Sequence, residues 1–165
     1  DNPLKMETMI GAQVSLEQME KIKSYLELGK KEGAKVLTGG GVGKLNSGLE
    51  KGNYIQPTIF EANNSMRISQ EEIFGPVLSI STYETEEEAI MMANDSEYGL
   101  SGGVWSGDDA RAMRVAMAMR TGQVSINGGA FNISAPFGGY KLSGNGRELG
   151  SHGLEEFLEV KAIQR

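Results

Sequence analysis

The chain has 165 residues, of which 39% are hydrophobic and 23% charged, enough to bury a core as one domain. Its formal net charge is -6, which argues against a nucleic-acid or anionic-membrane surface because phosphates are repelled. Cysteine is absent and His152 is the single histidine, so disulfides, thiol nucleophiles and multi-histidine metal centres are excluded within the chain. No apolar run approaches the roughly 18 residues of a membrane span. The start, Asp1-Asn2-Pro3-Leu4-Lys5, carries neither a signal-peptide stretch nor an initiator methionine. A cytoplasmic protein is expected, and a chain that begins inside something longer.

Residues 15–32 have the period of an amphipathic helix, with Leu16, Met19, Ile22 and Leu26 on one face. Ser15 and Gln18 give a capping-box pattern at its start, and Gly33 a stop. Residues 35–38 read as a short strand running into Gly39-Gly40-Gly41, and 44–52 as a polar surface loop. Residues 54–60 read as a strand broken by Pro57, expected at an edge or with a bulge. Residues 77–83 alternate as a strand with one buried face. Thr85 and Glu88 open a helix holding Ala89, Ile90 and Ala93, and 102–105 form another strand. Residues 108–120 predict a helix with Ala110, Met113 and Met117 inward. A strand over 123–127 then opens into a long glycine-rich loop, and 157–163 alternate as a last strand. Strand and helix alternate, so the fold class is α/β with a mainly parallel central sheet. The terminal strand follows a loop and needs a partner, which pairing across subunits would provide.

Glycine, at 23 residues, is about twice its usual share of roughly 7%. Two glycine patterns resemble phosphate cradles and fail. Gly39 to Lys44 ends like a Walker loop, but Thr38 replaces its first glycine and Leu45 its hydroxyl. Gly144-Asn145-Gly146 begins like a dinucleotide fingerprint, but Leu149 stands where the third glycine belongs. Three Asn-X-Ser sequons, at Asn63, Asn94 and Asn132, are chance matches without a secretory signal.

The stretch Ser69-Gln70-Glu71-Glu72-Ile73-Phe74-Gly75-Pro76-Val77 has an ordinary structural explanation. Ser69 and Glu72 make a capping box, Gly75-Pro76 ends the helix and Phe74 enters the core. The same run closely resembles the signature segment of the aldehyde dehydrogenase family. A second long stretch, Asn127-Gly128-Gly129 to Pro136-Phe137-Gly138-Gly139-Tyr140-Lys141 and on through Gly146-Arg147-Glu148-Leu149-Gly150, is similar to that family too. Gly11-Ala12-Gln13-Val14 and the Pro57-Thr58 strand add to the resemblance, which runs over about residues 2–161.

That resemblance implies an aldehyde-dehydrogenase-like, three-layer catalytic-domain portion over 1–153 and an oligomerisation strand over 154–165. It implies that Glu72 holds the ribose hydroxyls of NAD or NADP, since a carboxylate accepts two donors, and that Phe74 packs on the nicotinamide end. Phe137 then lines the aldehyde tunnel, Phe131 lies in the loop that varies with substrate, and Glu148 matches a glutamate that relays protons or orders water. The family attacks the aldehyde with a cysteine thiolate and hydrolyses the resulting thioester with a glutamate base. Neither of those groups belongs to the region represented here. The chain is therefore expected to be inactive alone, with the N-terminal remainder of its subunit, an aldehyde substrate and a homo-oligomer as partners. The alternative is a non-catalytic assembly module built on the same scaffold.

Overall fold

The computed structural model describes residues 1–43 and 48–165, and the chain divides into two compact units, Asp1–Thr82 and Tyr83–Arg165. The expected loop over 44–52 and the Lys44-Leu45 end of the Walker-like stretch lie partly outside the described residues.

In the first unit, α1 spans Leu16–Lys31. Ser15 caps it, its Oγ accepting from the Gln18 N–H at 3.1 Å. Glu17 in the first turn and Lys30 and Lys31 in the last complement the helix dipole. Gly33 leaves the helix at a φ of 91°, the left-handed conformation glycine favours. The inward face carries Ile22 and Leu26, which are fully buried, whereas Leu16 is 60% exposed. Leu16 lies one turn before the helix reaches the core, so the expected stripe begins too early.

β1 (Lys35–Thr38), β2 (Thr58–Glu61) and β3 (Val77–Ile80) form one sheet in that order. β1 pairs antiparallel with β2, with an irregularity between Val36 and Thr38, and β2 pairs parallel with β3. Helix α2 (Arg67–Gln70) lies on the crossover between the parallel pair. Pro57 precedes β2 and does not interrupt it, so β2 takes the central place and the bulge falls on β1. A proline donates nothing to a ladder, and the strand simply starts after it. The core gathers Phe60, Ile22, Leu26, Ile55, Ile68 and Ile73 between α1 and this sheet.

The second unit holds α3 (Glu86–Asn94), β4 (Tyr98–Gly99), β5 (Ser101–Val104), α4 (Asp109–Ala118), β6 (Gln123–Ile126), β7 (Tyr140–Lys141) and α5 (Gly150–Glu155). β5 and β6, joined through α4, are parallel, and β4 pairs antiparallel with β7. The α/β class is as expected, with the strands shared among three small sheets and both helix-linked pairs parallel. Thr85 caps α3 and Asp108 caps α4, the latter accepting from the N–H groups of Ala110 and Arg111. Glu86 ties the two helices together through Arg111 and Arg114 at 2.8 and 2.9 Å. The inward face of α4 is not the expected one. Ala112 is fully buried, while Met113 and Met117 are 53% and 80% exposed.

Residues 157–163 form no strand within the chain, and Phe157, Val160 and Ile163 are each more than four-fifths exposed. An alternating sequence becomes a strand only where a ladder partner satisfies its backbone, and the described residues offer none. Among the described residues, no helix is long and apolar enough to cross a membrane.

At Gly75 the segment before β3 lies close against Ile22 of α1. A Cβ there would stand 2.5 Å from Ile22 Cδ1 and 2.6 Å from Ile22 Cγ1. Gly75→Ala should therefore cost about 1–3 kcal/mol through overpacking. Urea unfolding would show a lowered midpoint, and an unchanged one would mean that α1 does not press on this segment.

Candidate functional site

The segment 71–75 lies between the end of α2 and the start of β3, and its side chains divide into anchored and presented ones. Glu71 is extended, at φ -103° and ψ 148°. The Glu71 carboxylate accepts from Arg67 Nε at 2.6 Å, Arg67 Nη2 at 3.0 Å and the Tyr25 hydroxyl at 2.6 Å. Ile73 is buried in the core. Phe74 adopts a positive φ of 57° and is 73% exposed. Glu72 is exposed as well.

The ordinary explanation of this stretch does not hold. α2 covers Arg67–Gln70, with Met66 in the cap position. Ser69 thus lies inside the helix, where its buried Oγ has no hydrogen-bond partner among the described residues. Glu72 lies beyond the helix end and caps nothing, and Phe74 is not a core residue. Glu72 and Phe74 thus stand exposed on a segment whose other side chains, Glu71 and Ile73, are anchored.

Gln18 was legible only as part of a cap, and it does more. Its Nε2 donates to the carbonyl oxygens of Ile73 and Phe74, both at 2.9 Å. The far side of the capping box is thereby given up, and the amide holds the backbone of the segment instead. Tyr25 and Arg67 were missed altogether. The available signal was the spacing of Tyr25 from Ile22 and of Arg67 from Glu71, three and four residues along a helix.

The second group lies in the second unit, where Asn127 ends β6 with a φ of 51°. Its Oδ1 accepts from the Ser106 N–H at 2.9 Å and its Nδ2 donates to the Ser106 carbonyl at 3.0 Å. The start of the glycine-rich loop is thus tied to the end of β5. Further along, Phe137 and Glu148 pair as an antiparallel bridge, with N–H to O distances of 2.7 and 2.6 Å. Both line a cleft of about 580 Å³. The Phe131 ring meets the Phe137 ring edge-on, with centroids 5.9 Å apart, a favoured aromatic geometry. Phe131 lines a neighbouring cleft of about 620 Å³ beside β5 and β6. Arg147 lies 5.3 Å over the Tyr140 ring and donates to the Gly139 carbonyl at 3.0 Å, which closes the hairpin between Phe137 and Glu148. Phe131, Phe137 and Glu148 are therefore brought together in one unit, and Glu72 and Phe74 in the other. Among the described residues, no group of histidine, aspartate and glutamate side chains is arranged to hold a metal ion.

Hydrogen bonds from Arg67 and then Tyr25 pull the Glu71 carboxyl from its ordinary 4.5 down to about 2. A depressed folded value means that the stabilisation is complete above pH 4.5 and is lost as the pH falls from 4.5 towards 2. Carbon-detected NMR titration of Glu71 should give a midpoint near 2, and Arg67→Met should move it up towards 4.5. An unperturbed midpoint in the unsubstituted chain would show that the fork does not persist in solution.

The aldehyde dehydrogenase family profile matches residues 1–163. A 3-succinoylsemialdehyde-pyridine dehydrogenase from a Pseudomonas species is 54% identical over 163 residues, covering 98% of this chain and 34% of the relative. Acetaldehyde dehydrogenase 2 of Cupriavidus necator is 51% identical over 163 residues, with 98% and 32% covered. Among solved structures, an indole-3-acetaldehyde dehydrogenase in complex with NAD+ superposes with a TM-score of 0.89 at 45% identity, over 98% of this chain and 32% of that one. An NAD+ complex of the Mycobacterium tuberculosis aldehyde dehydrogenase gives 0.84 at 48% identity, over 90% and 30%. The chain spans about a third of the length of the relatives it matches.

Proposed function

The chain belongs to the aldehyde dehydrogenase family, and from that premise we propose that it is the part of an NAD(P)-dependent enzyme that positions cofactor and aldehyde for oxidation to the carboxylic acid. The observation that carries this reading is the segment 71–75, where Glu71 and Ile73 are anchored while Glu72 and Phe74 stand exposed. Glu72 would accept the two ribose hydroxyls of NAD or NADP, and Phe74 would bound the flat nicotinamide ring. When bound, the nicotinamide supplies a hydride acceptor. The residues of this chain contribute orientation, and a displacement of about an ångström at a reacting group can cost roughly 10²-fold in rate.

Phe137, with Phe131 packed on its edge, would form an apolar wall for the aldehyde. Glu148, bridged to Phe137 through the backbone, would hold or pass a proton beside that wall. The chain has no cysteine, so the thiolate that attacks the carbonyl must come from outside it, and by itself the chain should turn over no aldehyde. Beyond α5, which takes up the first two residues of the expected 154–165 segment, residues 157–163, exposed and rich in apolar side chains, would supply a strand for pairing with a second subunit in a homo-oligomer. The reading extends to a cytoplasmic enzyme, in keeping with the ordinary charge and hydrophobic balance of the sequence.

In the full-length protein, Glu72→Gln should lower kcat/KM for the cofactor by about tenfold, the scale of one lost charge-assisted hydrogen bond. Thermal stability should stay unchanged, because the side chain is exposed. Steady-state kinetics with NAD+ and with NADP+ checks this, and an unaltered kcat/KM would remove Glu72 from the site.

A further inference from the structure

We infer that Tyr25 is a positioning residue for Glu72, holding it in place by fixing the neighbouring Glu71 from the core helix α1. The inference rests on the proposed role of Glu72 at the cofactor.

The contacts form a series along one face of α1. Gln18 bonds the carbonyls of Ile73 and Phe74, Ile22 fills the space beside Gly75, and Tyr25 bonds the carboxylate of Glu71. Spacings of four and then three residues keep all of these on one helical stripe. The helix therefore grips the segment at both ends, by a backbone clamp at Ile73 and Phe74 and by a side-chain clamp at Glu71.

The two clamps differ in what they fix. Arg67 also holds Glu71, but it stands four residues earlier in α2, the element that leads into the segment. That pair ties Glu71 to α2, which is itself docked through buried Ile68 and through the Arg67 N–H on Glu32 at 3.0 Å. The Tyr25 hydroxyl reaches across 46 residues of sequence from α1, a helix whose next inward residue, Leu26, is fully buried. This bond ties Glu71 directly to α1, beside the tie that it has through α2. Fixing Glu71 on one side and Ile73 on the other fixes the backbone between them, from which the exposed Glu72 projects. The paired glutamates thus have separate tasks, one held and one presented.

The test uses the full-length enzyme with Tyr25→Phe, Glu72→Gln and the double variant. It reads kcat/KM for NAD+ and for NADP+, the calorimetric Kd of each cofactor, and Tm. Tyr25→Phe keeps the ring and removes the hydroxyl, so it should lower kcat/KM about five- to tenfold with a small change in Tm. A primary deuterium isotope effect with labelled aldehyde should rise as hydride transfer slows. In the Glu72→Gln background the same substitution should have little further effect on kcat/KM or Kd, because its route to the cofactor is gone. Equal effects in both backgrounds, or a lowered Tm with kcat/KM unchanged, would overturn the inference and leave the role of Glu72 standing. A Glu72→Gln enzyme indistinguishable from wild type would overturn that role and the inference with it. If Tyr25→Phe does not fold, Glu71→Ala removes the other end of the same bond together with the Arg67 fork, so the expectations for kcat/KM and Kd hold while Tm falls.

Discussion

The first unit depends on how near α1 can come to β2 and α2. Gly29 makes that approach possible, since a Cβ there would stand 3.0 Å from Ile68 Cδ1 and 3.3 Å from Phe60 Cζ. Phe60 on the central strand is fully buried, and Ile22 and Leu26 close over it from the helix. A helix interior glycine costs about 1 kcal/mol relative to alanine, so its presence at this position is a packing decision. With the helix set at this distance, short polar contacts from its next turns reach the segment before β3. A helix standing off by even one methyl group would put the carbonyls of Ile73 and Phe74 beyond the reach of Gln18.

The second unit is held by different means. Its buried hydrophobic content is small, with Ala112 the one side chain from this unit among the core residues described. Order comes from side chains that serve backbone groups. Lys141 Nζ donates to the carbonyls of Asn94 and Ser96, Asn94 bonds the end of α4 through both faces of its amide, and Asn127 does the same for Ser106. Each such bond satisfies a group that a loop would otherwise leave to water. The hairpin carrying Phe137 and Glu148 is built in this way, which explains how a glycine-rich stretch can hold these two side chains in register.

Several of these features were legible in the sequence. The caps at Ser15 and Thr85, the stop at Gly33 and the parallel pairs on either side of a helix followed from local chemistry that tertiary contacts did not alter. Other expectations failed for physical reasons. The inward face of α4 was assigned from the large apolar residues Met113 and Met117, but the tight packing selects the small Ala112. The Ser69-Glu72 capping box put the helix start three residues past the real cap at Met66, because a four-residue helix leaves too short a period to locate. Residues 157–163 alternate as a strand does, yet alternation states only what the segment could pair with. The site was legible as motifs and not as geometry. Nothing local in the sequence couples Tyr25 to Glu71 or Gln18 to Phe74, since those bonds exist only once α1 has docked.

Phe74 sets backbone stability against the role proposed for it. A non-glycine residue at a positive φ carries strain of about 1–3 kcal/mol, and this ring, 73% exposed, recovers little of it through packing. Glycine would relax the backbone there and leave the clamp from Gln18 intact, because that clamp grips carbonyl oxygens and no side chain. A search for thermostable variants guided by folding alone would therefore converge on replacing this phenylalanine, and would remove the surface that the surrounding structure holds outward.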